Sequence, residues 1–120
     1  MTKIINVTNH PITFYWPETG ERHQVQPHGK SLRATLVRSV DSVHRSGAEI
    51  YTFDYLPNQE GRSLVDALIE ENPDAVLVGS VVAAQAYLGD VYGIIPVNGS
   101  ENLPPAERVF YGDRFSTFRN

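Results

Sequence analysis

The sequence predicts a single α+β domain spanning residues 1–120, an antiparallel β-sheet packed with two short helices. Three observations carry that expectation. Short runs of β-branched and aromatic residues alternate with turn residues through most of the chain. Residues 63–72 instead space their apolar side chains at the helical period. A length of 120 residues, 41% hydrophobic and 20% charged, suits one packed core rather than two.

Residues 3–7 are apolar and β-branched, as strands prefer. The polar corner Thr8-Asn9-His10-Pro11 breaks this run, since proline fixes φ and lacks an N–H. Residues 12–16 read as a second strand, with Phe14 and Trp16 on one face and Thr13 and Tyr15 on the other. Residues 22–26 form a third, more polar strand. Pro27-His28-Gly29 is a tight turn, and residues 31–37 are a fourth strand. The short connections predict antiparallel pairing between these neighbours.

Residues 41–47 are polar and read as a loop. Residues 49–55 alternate Ile50, Thr52 and Asp54 with Tyr51, Phe53 and Tyr55, a strand with one aromatic face. Residues 57–61 form a linker within the domain. The first helix, 63–72, opens on Ser63-x-x-Asp66, which resembles a capping box, buries Leu64, Ala67 and Leu68 with Val65 beside them, and stops at Asn72-Pro73. Residues 75–79 make a short buried strand. Ser80 then caps a second helix running to Leu88, with Gly89 as its stop. Residues 90–97 are a strand and 98–105 a loop. Residues 107–118 read as a closing hairpin turning at Gly112-Asp113.

Composition excludes several functions. Without cysteine there is no disulfide framework, thiol nucleophile or thiolate metal site. A net charge of −4 argues against binding a nucleic acid polymer, which calls for a broad basic face. It leaves room for a small anionic ligand, because a few local arginines suffice for one or two phosphates. No apolar run approaches the ~20 residues of a membrane span, and the first residues do not form a signal peptide, so no membrane partner and a cytoplasmic location are expected.

The histidines are His10, His23, His28 and His44. None are paired at a metal-binding helical spacing, and no carboxylate cluster accompanies them, so neither a metal nor a cofactor is expected. His10 is either a turn residue bonding its own backbone or a ligand contact. Gly-x-Ser-x-Gly and phosphate-cradling loop motifs are missing. Ser80 is either a plain N-cap or an anion contact at a helix start. The adjacent Glu70 and Glu71 point apart on a helix and read as a solvated face. Arg33 and Arg114 each follow a turn. If their strands approach, two fork-shaped cations converge on one phosphate, with Tyr92, Phe110, Tyr111 and Phe115 near enough to stack on a purine. Otherwise each arginine serves a surface ion pair.

Four motifs, taken in order, resemble a family of small proteins common in phages and prophages. Asn6-Val7-Thr8-Asn9-His10-Pro11-Ile12 is similar to its Asn-Leu-Thr-Pro-His start. Pro27-His28-Gly29 followed by Leu32-Arg33-Ala34 is similar to its Pro-Ser-Gly turn with a following Ala-Arg. The run from Val78 to Ala86 resembles its Val-Ser-x-Leu-Val-Ala-x-Ala helix start, and Arg108 to Arg114 its terminal apolar pair, Gly, any residue, Arg. The pattern also resembles the first family of anti-Thoeris proteins, which sequester cyclic ADP-ribose signals of bacterial defence, some of them also cyclic oligonucleotides of CBASS. The resemblance implies a dimer or higher homo-oligomer that binds its ligand between protomers, in the host cytoplasm, without cleaving it. It implies Arg33 and Arg114 as phosphate contacts, and Asn98 with Tyr92 and Ile94 as base or ribose contacts. Ser80 and His10 complete the candidate ligand-binding set. The chain departs from the pattern at Asn9, at His28, in the order of Arg33 and Ala34, and in an extra helical segment between residues 57 and 71.

Two other functions fit the residues. One is a small phage structural component or host-protein interaction module, using the aromatic strands as a partner surface. The other is a nucleotide phosphodiesterase with His10 or His28 as general base, for which the sequence supplies no accompanying acid.

Overall fold

Alternation along the strands sorts the apolar side chains into two cores, and the strand order explains why there are two. The computed structural model describes residues 1–29 and 31–119. In chain order the elements are β1 (Ile4–Asn6), β2 (Ile12–Trp16), β3 (Glu21–Val25), β4 (Ala34–Val43), β5 (Glu49–Pro57), α1 (Gln59–Glu71), β6 (Val76–Val78), α2 (Val81–Ala86), β7 (Val91–Pro96) and β8 (Val109–Ser116). Two single-turn 3-10 segments, Ser100–Asn102 and Pro105–Glu107, interrupt the connection from β7 to β8.

Six strands form one sheet in the order β1-β6-β7-β8-β2-β3. Its two ends then meet. Asn6 bridges Pro27 just past β3, and the Asn6 and Val7 carbonyls accept from the His28 and Leu32 N–H groups at 2.8 and 3.0 Å. The sheet is thereby curled into a small barrel. Ile12, Phe14, Trp16 and Val78 fill it, joined by Ile4, Val25, Val76, Ile94, Phe110 and Phe115, so that all six strands supply one cluster. The outward residues Ile5, Val7, Leu77 and Val91 build a second core with Val65 and Leu68 of α1 and Ala83 and Ala86 of α2. Val76, Leu77 and Val78 alternate between the two cores, which is why this strand is an unbroken apolar run.

The α+β class holds, but the sheet is mixed rather than antiparallel. β2 pairs antiparallel with β3, and β7 with β8. In contrast β1–β6, β6–β7 and β2–β8 are parallel. The helix α2 between β6 and β7 supplies the crossover that a parallel neighbour requires. The strands flanking the Thr8–Pro11 corner do not pair with each other, so the corner carries the chain across the barrel instead of closing a hairpin.

Three further expectations are corrected. α1 starts at Gln59, not at Ser63. Asn58, in extended conformation, caps it, its Oδ1 accepting from the Gly61 N–H at 2.7 Å, so of residues 57–61 Pro57 ends β5 and the rest cap and begin a helix rather than link. α2 keeps its Ser80 cap, whose Oγ accepts from the Ala83 N–H at 3.1 Å, but it ends at Ala86 and not at Leu88. The expected closing hairpin is the single strand β8. Gly112 lies inside it because Trp16 packs on the backbone there, and a Cβ would stand 2.3–2.6 Å from three indole carbons.

Tyr87 ties the second core to the start of β4. Fully buried, it donates to the Arg33 carbonyl at 2.7 Å and accepts from the Asn58 N–H at 3.3 Å. Tyr87→Phe is expected to cost about 1–2 kcal/mol, because both backbone groups lose a partner. Urea denaturation should show a lower midpoint with an unchanged slope.

β4 and β5 lie apart from the barrel as a two-stranded antiparallel ribbon, paired from Ala34–Pro57 to Val43–Glu49 with a bulge between Val40 and Ser42. The expected loop at 41–47 is mostly ribbon. Its polarity reflects solvent on both faces, and the turn is confined to residues 44–48, where the His44 N–H donates to the Ala48 carbonyl at 2.8 Å. The ribbon stretches the molecule to 55 × 35 × 22 Å and a radius of gyration of 16.6 Å. A compact chain of this length would have roughly 13–14 Å.

Candidate functional site

The corner after β1 is built by one buried side chain. Asn6, 1% exposed, uses its whole hydrogen-bonding capacity. Its Nδ2 donates to the carbonyls of His10 at 2.8 Å and Val25 at 3.1 Å. Its Oδ1 accepts from the Thr8 N–H at 2.9 Å and the Thr8 hydroxyl at 2.6 Å. This amide therefore ties β1, the corner and the end of β3 together. Pro11 then sets the chain into β2, and His10 is left exposed with its backbone held.

The imidazole stands between two clefts. One, about 400 Å³, is lined by His10, Thr13 and Gln24 on one side and by Arg108, Phe110 and Ile94 on the other. The other, about 230 Å³, lies toward α2 and is lined by Thr8, His10, Ser80, Gly93, Ile94 and Ser116. The larger falls within the ~300–1,000 Å³ typical of small-molecule sites. No aspartate or glutamate lines either one. Within the larger cleft Arg108 is half-buried. Its Nε donates to the Leu103 carbonyl at 3.0 Å, which anchors the guanidinium and leaves its terminal nitrogens for another acceptor. His10 Nδ1 lies 3.0 Å from Asn9 Oδ1, an acceptor, so Nδ1 is the nitrogen that carries a proton there.

Of the sequence candidates, His10, Ser80 and Ile94 thus come together around the smaller cleft. The others lie elsewhere. Arg33 lines a separate cleft of about 210 Å³ with Ser31, Asn58, Glu60 and Gly61. Arg114, exposed on β8, is held by its own neighbour. Nε and a terminal nitrogen donate to the two Asp113 oxygens at 3.0 and 3.2 Å, and the guanidinium stacks 4.2 Å from the Tyr111 ring centroid. The hydrogen bonds from Arg114 hold the Asp113 carboxyl below its ordinary range and raise Arg114 in turn. A carboxyl so depressed keeps the pair intact at neutral pH and releases it only as pH falls through its lowered value. Arg33 and Arg114 share none of these clefts. Tyr92 donates its hydroxyl to the Gly89 carbonyl at 3.0 Å, and Asn98 is exposed in the turn after β7.

Sequence reasoning passed over Arg108 and Gln24 as site residues. Arg108 entered only as the first residue of the terminal motif, and its place in the cleft with His10 depends on β8 pairing parallel with β2, which brings Thr13 against Val109. Gln24 faces the same cleft because β3 pairs with β2 at Thr13. Neither pairing leaves a local mark in the chain.

Among the described residues, no group of three histidine, cysteine or acidic side chains is placed to hold a metal ion, and no helix is long and apolar enough to cross a membrane. The fold and clefts thus describe a small mixed barrel with two outer helices and a cation-bearing, acid-free groove at one corner. Comparison with protein-family models, curated proteins and solved structures found no match.

Proposed function

We propose that the protein captures a small anionic nucleotide in the groove between His10 and Arg108 and holds it without cleaving it. The ligand class is that implied by the sequence resemblance, a cyclic ADP-ribose isomer or a cyclic oligonucleotide used as a defence signal, and capture would serve phage evasion of that defence. The observation that carries this reading is the composition of the cleft wall. In a chain of net charge −4, the groove presents a guanidinium, an imidazole and a carboxamide with an aromatic ring, and no acid. Phosphate suits the first two and a base the last. With no carboxylate beside His10 to orient it as a general base, holding is favoured over hydrolysis. A second reading, a protein-interaction module, is favoured by the exposed apolar ribbon.

The test is to incubate the protein with cyclic ADP-ribose isomers and cyclic di- and trinucleotides, then to assay free ligand before and after heat denaturation. Capture followed by intact release is the expected result. A new product would make the protein an enzyme, and ligand unchanged throughout would remove both functions. Arg108→Ala is expected to weaken capture by about 10–100-fold, the loss of a charge-assisted bond. Arg33→Ala should leave it within about twofold. The reverse pattern would move the phosphates to Arg33.

A further inference from the structure

The ribbon carries more exposed apolar surface than the rest of the chain. Leu36, Val37, Val40, Val43, Ile50, Tyr51, Phe53 and Leu56 all lie on it, 38–64% exposed. The register divides them unequally between its two faces. Cross-strand partners share a face, and the pairs Leu36–Tyr55, Arg38–Phe53, Val40–Tyr51 and, past the bulge, Val43–Glu49 all fall on one side. The other side is mixed, with Thr35, Ser39, Ser42, Thr52 and Asp54 among its residues. An isolated two-stranded ribbon is marginal in water without a third strand or a packed face. This one, with strands of ten and nine residues, packs only its base, through Ala34 and Tyr55, against the second core, and beyond that base leaves Phe53 and Tyr51 exposed.

The stripe is self-complementary. Read outward from the barrel, its rows are Leu36–Tyr55, Arg38–Phe53, Val40–Tyr51 and Val43–Glu49, so the cation sits one row inside the central apolar pair and the anion one row outside it. Among the described residues, Arg38 and Glu49 make no ion pair within the chain. Glu49 is held only by the Tyr51 hydroxyl, which donates to it at 2.5 Å. A two-fold axis along the Val40–Tyr51 row lays each ribbon on its mate in reverse. The Arg38–Phe53 row then faces the Val43–Glu49 row of the other copy, and the long Arg38 side chain reaches across to that copy's Glu49.

We propose that the protein is a two-fold dimer joined through this stripe, each copy packing the Leu36–Val43 and Tyr51–Phe53 face of its ribbon against the same face of the second copy, with Arg38 paired to Glu49 across the axis. The face sets the exposed Leu36, Val40, Val43, Tyr51 and Phe53 about the axis, with one exposed cation and one exposed anion placed to pair across it. The two-fold contact closes on itself, so it stops at two chains. This assembly stands apart from the ligand reading, since the groove at His10 lies on the barrel and shares no lining residue with the ribbon.

Sedimentation velocity on the full chain, from about 1 to 100 μM, tests it. The expected species has twice the 13.4 kDa chain mass. Arg38→Glu and Glu49→Arg should each weaken the dimer at least about tenfold, as like charges then face each other across the axis, and the double variant Arg38→Glu/Glu49→Arg should recover wild-type association within about threefold. Phe53→Asp should give the monomer, with circular dichroism and Trp16 fluorescence unchanged as evidence that the barrel is intact. A wild-type chain monomeric throughout, assembly beyond two copies, or a double variant as weak as the single ones would each overturn the proposal.

Discussion

Asn6→Asp is expected to lower the unfolding free energy by about 3–5 kcal/mol at pH 7, a large part of the ~5–15 kcal/mol that a domain of this size commands. The substitution removes almost no volume. It replaces the two N–H groups that face the His10 and Val25 carbonyls with an oxygen that can only accept. Two part-buried carbonyls then confront an acceptor, and a charge is buried where only the Thr8 donors can answer it. The pH dependence identifies the cause. A carboxyl in this position has its folded pKa above its unfolded value of ~3.9, so the folded state binds the extra proton and stability falls as pH rises through that interval. The deficit should therefore shrink toward about pH 4, where the introduced carboxyl, once protonated, can donate one of the two lost bonds. Asn6→Ala, which removes the amide donors to the His10 and Val25 carbonyls without adding a charge, should cost about 2–4 kcal/mol and show no such trend. Urea titrations of both variants at several pH values make the measurement, and an Asn6→Asp chain whose deficit does not change with pH would remove the donor-loss account.

Gly112→Ala is the second large effect, about 2–3 kcal/mol from one methyl group. Its Cβ would stand 2.3–2.6 Å from three carbons of the Trp16 indole, which is 7% exposed at the end of β2. The backbone conformation is not the obstacle, because Gly112 is not among the glycines with positive φ. The partner therefore decides the outcome. In a Trp16→Leu background, where the indole is gone, adding the methyl should cost under about 1 kcal/mol, a coupling that only direct contact produces. The Trp16 indole N–H is buried without a hydrogen-bond partner, so Trp16→Leu gives up volume but no hydrogen bond. Trp16 is the single tryptophan, so its fluorescence follows the Gly112→Ala melt while circular dichroism serves the Trp16→Leu chains. Equal costs for the methyl in both backgrounds would show that strand pairing, and not the indole, excludes it.

Both effects bear on what was legible in the sequence. Residues whose role is local were readable: the β2 alternation and the Ser80 cap follow from neighbours within a few positions, and the α1 stripe did so in part, since Val65 and Leu68 are buried and Leu64 half-buried while Ala67 is exposed. Gly112-Asp113 was misread because a glycine before an aspartate marks a turn locally, whereas this glycine answers to Trp16, far away in the chain. The sheet was misread for the same reason, since parallel pairing depends on strands brought together by helices or distant segments. The site shares this limit. His10 could be picked out by its distinctive corner, but Arg108 joins it only through β8 lying against β2. Arg33 and Arg114 looked alike as cations after turns, and only the structure separates one beside Asn58 from one pinned by Asp113.

The strand order also sets a timetable. β1 is the first strand made, yet its neighbour is β6, with Ile4 opposite Val76, and its other edge closes on Pro27. β2 must likewise wait for β8, almost at the end of the chain. The ribbon of β4 and β5 needs only its own turn and can form within microseconds of being made, whereas barrel closure requires long loops to be drawn shut first. During synthesis the chain therefore carries an early aromatic ribbon and an unfinished sheet with open edges until its last strand is released. Refolding should be slow for a chain of this size, and crowding of nascent copies would put like ribbons side by side before any barrel has closed.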